Sequence, residues 1–279
     1  MGTFSIETHT ATLHRVCPAC GQDNADLSPL PVSSAPWKLK ACRGCGFVYL
    51  ENAPVYAELE EHFAWEKTYT AERARREREE PIFQWVSRRL IALRRIVPKR
   101  GLLPLTERMV PAGDVLDVGC SDAVMLARLG PRHVPHGIEL SAALAKRAAE
   151  VLAPRGGSVV HASALEGLSR LQAGRFSGIW MHSFLEHELE PLATLKAARR
   201  VLRADGRLIL KMPNYASINR HVRHARWCGF RFPDHVNYFT PASLRRMVEA
   251  AGLRVVRMNL LDRLPTSDNM WLVAGPGPS

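Results

Sequence analysis

The chain has no run of about eighteen or more apolar residues, so no part of it reads as a membrane-spanning helix. Met1 to Thr10 lack the charged head and apolar core of a secretory leader. These two absences point to a cytoplasmic location. Glycine is scarce where it would be most informative. The stretch Asp114-Val115-Leu116-Asp117-Val118-Gly119-Cys120-Ser121-Asp122-Ala123 is an apolar strand pattern running into a turn, and Gly119 is its only glycine. A dinucleotide loop reads G-x-G-x-x-G, because a pyrophosphate needs close backbone approach and several free N–H groups. Here Ser121 and Ala123 occupy the later small positions. Their presence argues against a dinucleotide and for a nucleoside ligand without phosphates.

Acidic charge is also in short supply: 27 Asp and Glu against 38 Lys and Arg give a net charge of +11. Such a balance can serve nucleic acid or another anionic surface. Much of the excess, however, lies in Arg73 to Arg100, mixed with Glu72, Glu77, Glu79 and Glu80. Mixed signs at helical spacing read as i,i+4 pairing on a solvated helix face. Apolar residues make up 46% of the chain, enough for an ordinary globular core.

Of six cysteines, Cys120 and Cys228 stand alone, and the other four form two CxxC turns, Cys17-Pro18-Ala19-Cys20-Gly21 and Cys42-Arg43-Gly44-Cys45-Gly46. Each turn can aim two thiolates at one tetrahedral ion, and the glycine behind it permits a left-handed backbone. The spacing from Cys20 to Cys42 is slightly longer than usual for such pairs. Trp37 to Lys40 and Phe47 to Leu50 alternate like short strands, so residues 1–55 read as a small zinc ribbon. Four thiolates, from Cys17, Cys20, Cys42 and Cys45, fill every coordination position, which makes the expected Zn2+ structural.

Residues 56–110 read as a helical linker, with amphipathic patterns over Glu58–Trp65 and Pro81–Ile96, the latter carrying the stripe Phe83, Val86, Leu90 and Leu93. Trp65 and Tyr69 could touch a ligand, although aromatics at helical spacing more often serve a core. From residue 111 to 279 the pattern alternates strand and helix, the signature of an α/β parallel sheet. The expected strands are Val115–Val118, His136–Glu139, Val159–His161, Gly178–His182 and Arg207–Met212. The expected helices are Asp122–Leu129, one N-capped by Ser141, Pro191–Leu202 and Pro241–Ala250. Leu253–Met258 and Met270–Ala274 have no helical pattern between them, so they should pair antiparallel.

Three features fall at strand carboxyl ends. Asp117 and Gly119 close the first strand, Glu139 closes the second, and His182, Glu186 and His187 follow the fourth. An acid at the end of the second strand suits two ribose hydroxyls. Val115-Leu116-Asp117-Val118-Gly119-Cys120 resembles the first motif of class I S-adenosylmethionine-dependent methyltransferases, and Ile138-Glu139-Leu140-Ser141 resembles their acidic second motif. Phe184-Leu185-Glu186-His187, Arg200 to Gly206, Pro213-Asn214 and Asp234-His235-Val236-Asn237-Tyr238-Phe239-Thr240 continue the pattern of the small-molecule, ubiquinone-biosynthesis branch. The resemblance covers about residues 110 to 275. It implies a seven-stranded Rossmann-like methyltransferase sheet with a terminal antiparallel hairpin, preceded here by the ribbon.

The resemblance also implies roles. Asp117, Gly119, Cys120 and Ser121 would surround the methionine part of the cofactor, Glu139 the ribose and Leu140 the adenine. Ser163 and Ala164 stand where an acid often lies near the adenine amine, and His182 would face the cofactor side. Ser177 replaces a common acid of the fourth motif. In the ubiquinone-type enzymes the Glu-His pair belongs to a metal cluster, but Ser183 stands here where another carboxylate would help. An oxygen acceptor must lose a proton, which suits histidine. His187, His235 and His182 are the candidate bases, with Glu186 or Asp234 to orient them. Residues 213–240 hold aromatics, histidines and Arg220, Arg223 and Arg226, and read as a substrate lid. The expected activity is methyl transfer to a small-molecule acceptor of sugar, glycan or natural-product type. The alternatives are an RNA methyltransferase, supported by the ribbon and the charge but lacking an Asn/Asp-Pro-Pro-aromatic motif, and a non-catalytic binding module of the same fold.

Overall fold

The computed structural model describes residues 11–55 and 101–278. The expected helices Glu58–Trp65 and Pro81–Ile96, with Trp65 and Tyr69, lie outside the described residues. None of the described helices is long and apolar enough to cross a membrane.

The N-terminal unit contains four short strands, β1 (Thr12–His14), β2 (Leu39–Ala41), β3 (Val48–Leu50) and β4 (Asn52–Pro54). Both CxxC turns close tightly: Gly21 N–H donates to the Cys17 carbonyl and Gly46 N–H to the Cys42 carbonyl, each at 2.8 Å. Gly21 and Gly46 have φ of 77° and 72°, the left-handed region that favours glycine. So small a unit cannot bury a sufficient core alone. It draws on distant sequence: β10 (Asn237–Tyr238) adds to β3, giving the sheet order β10-β3-β2. Tyr215, Trp227, Phe230 and Tyr238 pack there with Leu39 and Val48. These rings of the 213–240 segment therefore form a core with the ribbon strands.

The main sheet is preceded by α1 (Leu102–Met109), and β10 falls in the chain between its fifth and sixth strands. Its strands are β5 (Gly113–Val118), β6 (His133–Glu139), β7 (Ser158–His161), β8 (Phe176–His182), β9 (Leu202–Pro213), β11 (Leu253–Arg257) and β12 (Asn269–Pro276). The order is β11-β12-β9-β8-β5-β6-β7. β5 to β9 pair parallel, whereas β12 is antiparallel to both β9 and β11, as the missing crossover required. The chain reverses its direction of travel between β5 and β8, the position at which open α/β sheets bind ligands.

Period-two alternation divides the strand residues between two layers. Val115, Trp180, Ile209 and Val273 face α1 and α2 (Ala142–Leu152). Leu116, Ile179, Met181, Leu208 and Leu210 face α3 (Ala164–Arg170), α4 (Pro191–Val201) and α6 (Pro241–Ala250); the short α5 (Ile218–Arg223) lies in the 213–240 segment. Ser141 caps α2 as expected, and Thr240 caps α6 in a reciprocal box with Ser243. Ser177, in place of an acid, is fully buried and donates to the Asp114 carbonyl at 3.0 Å.

Two sequence expectations fail. The helix predicted over Asp122–Leu129 is only a 3-10 turn, Leu126–Arg128. Ser121 and Ala123 adopt φ of 51° and 55°, so the α-helical hydrogen-bond ladder cannot start there. The strand expected to start at Arg207 starts instead at Leu202, with Ala204-Asp205-Gly206 as a bulge within β9. Phe176 pairs with Leu202 and Gly178 with Arg207, so the extra residues are looped out inside one strand.

Candidate active site

The carboxyl ends of β5, β6, β8 and β9 converge. After β5, Gly119 takes φ of 77°, and a Cβ there would sit 2.8 Å from the Phe184 ring. The position therefore demands glycine twice over, for its backbone and for its neighbour. Glu139, at the end of β6, is held by the same loop: one carboxylate oxygen accepts the Ser121 N–H at 2.8 Å and the other accepts the Ser141 N–H at 3.0 Å. Asp117 lies behind this loop, and burial, then the charge of Glu139, push its carboxyl well above the ordinary range.

Cys120 points away from the mouth. It is buried, and its Sγ lies 2.4 Å from where a Gly137 Cβ would stand, so it packs against β6. Burial, then the charge of Asp117, push its thiol up. Ser163 caps α3 through the Glu166 N–H and Ala164 is buried beside it, while Leu140 remains half-buried and its carbonyl meets the His161 ring at 2.9 Å.

The loop after β8 and the segment before β10 bring Glu186, His187 and His235 together. His187 Nδ1 lies 2.8 Å from Asp234 Oδ1, and Asp234 Oδ2 is 2.9 Å from Arg231. His235 Nδ1 bonds the Gly229 carbonyl at 2.8 Å, and the His187 and His235 rings meet edge to face at 4.7 Å. Both Nδ1 atoms face acceptors, which leaves each Nε2 for other use. Glu186 is buried, and its Oε2 has no hydrogen-bond partner. One ligand atom from each of Glu186, His187 and His235 lies within 4.8 Å of the others, so a proton or a divalent cation would find three donors there.

Electrostatics separates these groups. Burial disfavours a charged His187, but the Asp234 carboxylate beside it prevails and lifts the imidazole to about 9. Burial likewise opposes ionisation of Asp234, and the His187 charge overcomes it, holding the carboxyl near 2. Burial and the adjacent His187 charge depress His235 to about 3, and burial raises Glu186. His187 is the open member of the group, with its side chain 23% exposed, while His235 and Glu186 are enclosed.

His182 lies apart from this cluster. It ends β8 in register with Lys211 on β9, and its ring centroid is 6.0 Å from that of Trp271. Burial, then the Lys211 charge, lowers it to about 4. Sequence reasoning overlooked Lys211. The signal was a lone cation closing the apolar strand Leu208-Ile209-Leu210 at its ligand-binding end.

The second candidate centre is the cysteine set. Sγ of Cys17 lies 3.6 Å from that of Cys45, and Cys20 and Cys42 are 3.5 Å apart. A tetrahedral zinc with Zn–S bonds of about 2.3 Å requires sulfurs about 3.8 Å apart, so this donor set fits the ion. Without the ion, burial pushes the Cys17 and Cys45 thiols up, whereas for Cys42 burial is outweighed by the backbone N–H groups of Cys45 and Gly44, which hold the thiol near 6.

The methyltransferase domain family matches residues 75–258. The chain belongs to that family. Among curated relatives of this methyltransferase, the ubiquinone biosynthesis O-methyltransferase of Xanthomonas axonopodis pv. citri is 30% identical over 162 residues, covering 54% of this chain and 67% of that protein. The ubiquinone biosynthesis O-methyltransferase of Idiomarina loihiensis is 25% identical over 159 residues, covering 52% and 63%. The match thus spans about two thirds of each relative's length. Two solved structures share the methyltransferase fold at a TM-score of 0.50: the CcbJ methyltransferase from Streptomyces caelestis, 20% identical, and a chain of the complex between the Haloferax volcanii Trm112 methyltransferase activator and a methyltransferase, 13% identical. Each comparison covers 63% of this chain and 88% of the other.

Proposed function

We propose that the protein transfers a methyl group from S-adenosylmethionine to an oxygen of a small-molecule acceptor, with His187 as general base. One observation carries the reading: the same end of the sheet bears Glu139, tied to the Gly119 loop, and the His187–Asp234 pair. The bound cofactor supplies an electrophilic methyl on a sulfonium, whose departing thioether is neutral. Glu139 then holds the ribose hydroxyls, and the loop from Gly119 to Ser121 lies against the methionine portion. Asp234 fixes the tautomer of His187, so Nε2 faces the acceptor proton. The remaining work is alignment and exclusion of water. The segment 213–240 covers the acceptor side. It starts at the end of β9.

We assign the cysteine set a structural Zn2+, supported by its sulfur spacing and its closed coordination. A second reading of the Glu186-His187-His235 cluster, a divalent cation in place of a shuttled proton, rests on the unpartnered Glu186 oxygen and on both Nδ1 atoms being held by acceptors. Metal analysis separates the two: about one zinc per chain fits the base, whereas a further ion lost with His235→Ala fits the cation.

Calorimetry with S-adenosylmethionine and its demethylated product tests the main reading. Heat of binding is expected for both. No binding of either leaves a methyltransferase fold acting as a non-catalytic module. An RNA acceptor draws support from Arg220, Arg223 and Arg226, in a stretch from Asn214 to Pro233 that holds no Asp or Glu. Gel shifts that are featureless between sequences and weak at physiological salt would reject it.

A further inference from the structure

The group that the mechanism above leaves unused is Lys211. It lies near the end of β9, in register with His182 on β8 and Trp271 on β12, so the three side chains share one sheet face at the ligand-binding end. Its ammonium donates to Ser183 Oγ at 2.8 Å, its only side-chain hydrogen-bond partner among the described residues. Ser183 holds φ of 54° to present that hydroxyl, and its own N–H donates to the Lys211 carbonyl at 2.7 Å. Strained backbone of this kind clusters at functional sites. Among the described residues no carboxylate lies within ion-pair distance of Lys211; Glu186 is the acid that acts on it, from farther off.

We propose that Lys211 selects for an acceptor carrying an oxyanion, a carboxylate or an ionised hydroxyl, and holds that oxygen at the strand ends beside the His182 and Trp271 rings. The inference rests on the methyltransferase reading and adds the acceptor's charge. A largely buried ammonium with two N–H donors to spare is costly, and an anion arriving in the same enclosed space relieves that cost. Burial, opposed by the charge of Glu186, already lowers the Lys211 amine. His182, held neutral, adds no competing charge. The partly exposed rings of His182 and Trp271 offer flat apolar surface, which suits an aromatic or otherwise planar acceptor.

The test uses the full chain and two anionic probes, para-nitrophenol and benzoate, with para-nitrotoluene as the neutral match. Held at Lys211, para-nitrophenol should ionise at lower pH than in free solution, seen as growth of its phenolate absorbance on adding protein. Lys211→Met should abolish that displacement and weaken both anions about tenfold to a hundredfold. Lys211→Arg should largely restore it. Affinity for the demethylated cofactor, measured on the same variants, should not change; this control also reports folding. If the neutral probe binds as tightly as the anions, if neither anion binds, or if Lys211→Met keeps the spectral displacement, the proposal is overturned. Loss of cofactor affinity in Lys211→Met with retained fold would assign the lysine to the donor and equally overturn it. Failure of wild-type protein to bind cofactor would count against methyl transfer, and the phenolate signal would still be readable.

Discussion

His187 Nδ1 and Asp234 Oδ1 stand 2.8 Å apart, joining the loop after β8 to the segment before β10. This contact raises the basicity of the imidazole and leaves Nε2 outside the pair. It also gives the site a defined pH response.

If His187 is the base, the reaction rate should climb with pH and level off near 9, because the imidazole is charged below that value. Were His235 the base, the profile would be flat above about pH 4. Asp234→Asn should move the inflection toward the ordinary histidine value of about 6.5 and cost about 10²- to 10⁴-fold in rate. Single-turnover rates over pH 5.5 to 10 would check this; a profile unchanged by Asp234→Asn would exclude the pair as the base.

The same pair links stability to pH. Histidine with a raised pKa contributes stability that is full below its unfolded value and lost as pH rises through about 9. Asp234 with a depressed pKa contributes above its unfolded value, and the gain is lost as pH falls toward 2. These are two views of one interaction and are not summed. The difference in melting temperature between wild type and Asp234→Asn should therefore be widest between those limits and shrink outside them.

Gly119→Ala should damage the loop twice, through its φ of 77° and through contact with Phe184. We expect a loss of about 1–3 kcal/mol. Adding Phe184→Ala should recover the steric share alone, since the backbone strain remains. A denaturant-unfolding cycle gives the coupling; strictly additive losses would show that the ring does not limit the site.

Glu139→Gln keeps an acceptor for only one of the Ser121 and Ser141 N–H groups, sets its NH2 against the other, and removes the charge that would receive two ribose hydroxyls. Cofactor affinity should fall about tenfold or more, with a loss of stability smaller than that of the alanine variant. Glu139→Ala should cost both, because the loop loses its anchor. Equal affinity in wild type and Glu139→Gln would remove Glu139 from the ribose site.

Removing the metal should reach beyond the ribbon. Cys42→Ser or chelation is expected to release about one zinc per chain and lower the melting temperature of the whole protein. Cys17, Cys42, Phe47 and Tyr49 belong to the same apolar core as Leu210 and Phe239, and buried Arg15 bonds the carbonyls of Leu50, Leu189 and Val236. A separate, low-temperature transition for the ribbon would contradict this coupling.

Local chemistry made much of this protein legible in its sequence. Strand alternation, the Ser141 cap, the paired CxxC turns and the missing crossover before β12 depend on neighbours a few residues away, so the sheet, its hairpin and the cysteine cluster could be read from spacing. Tertiary structure decided what depends on distant neighbours. It replaced the Asp122–Leu129 helix with a turn, because Ser121 and Ala123 take left-handed backbone while Ser121 N–H binds Glu139. It turned Trp227 and Phe230 into core by pairing β10 with β3. It set His235 beside His187 and left Lys211 facing the mouth without a close counter-ion among the described residues. Burial and the charges facing a side chain determine its protonation and its partners, and both exist only after the chain has folded.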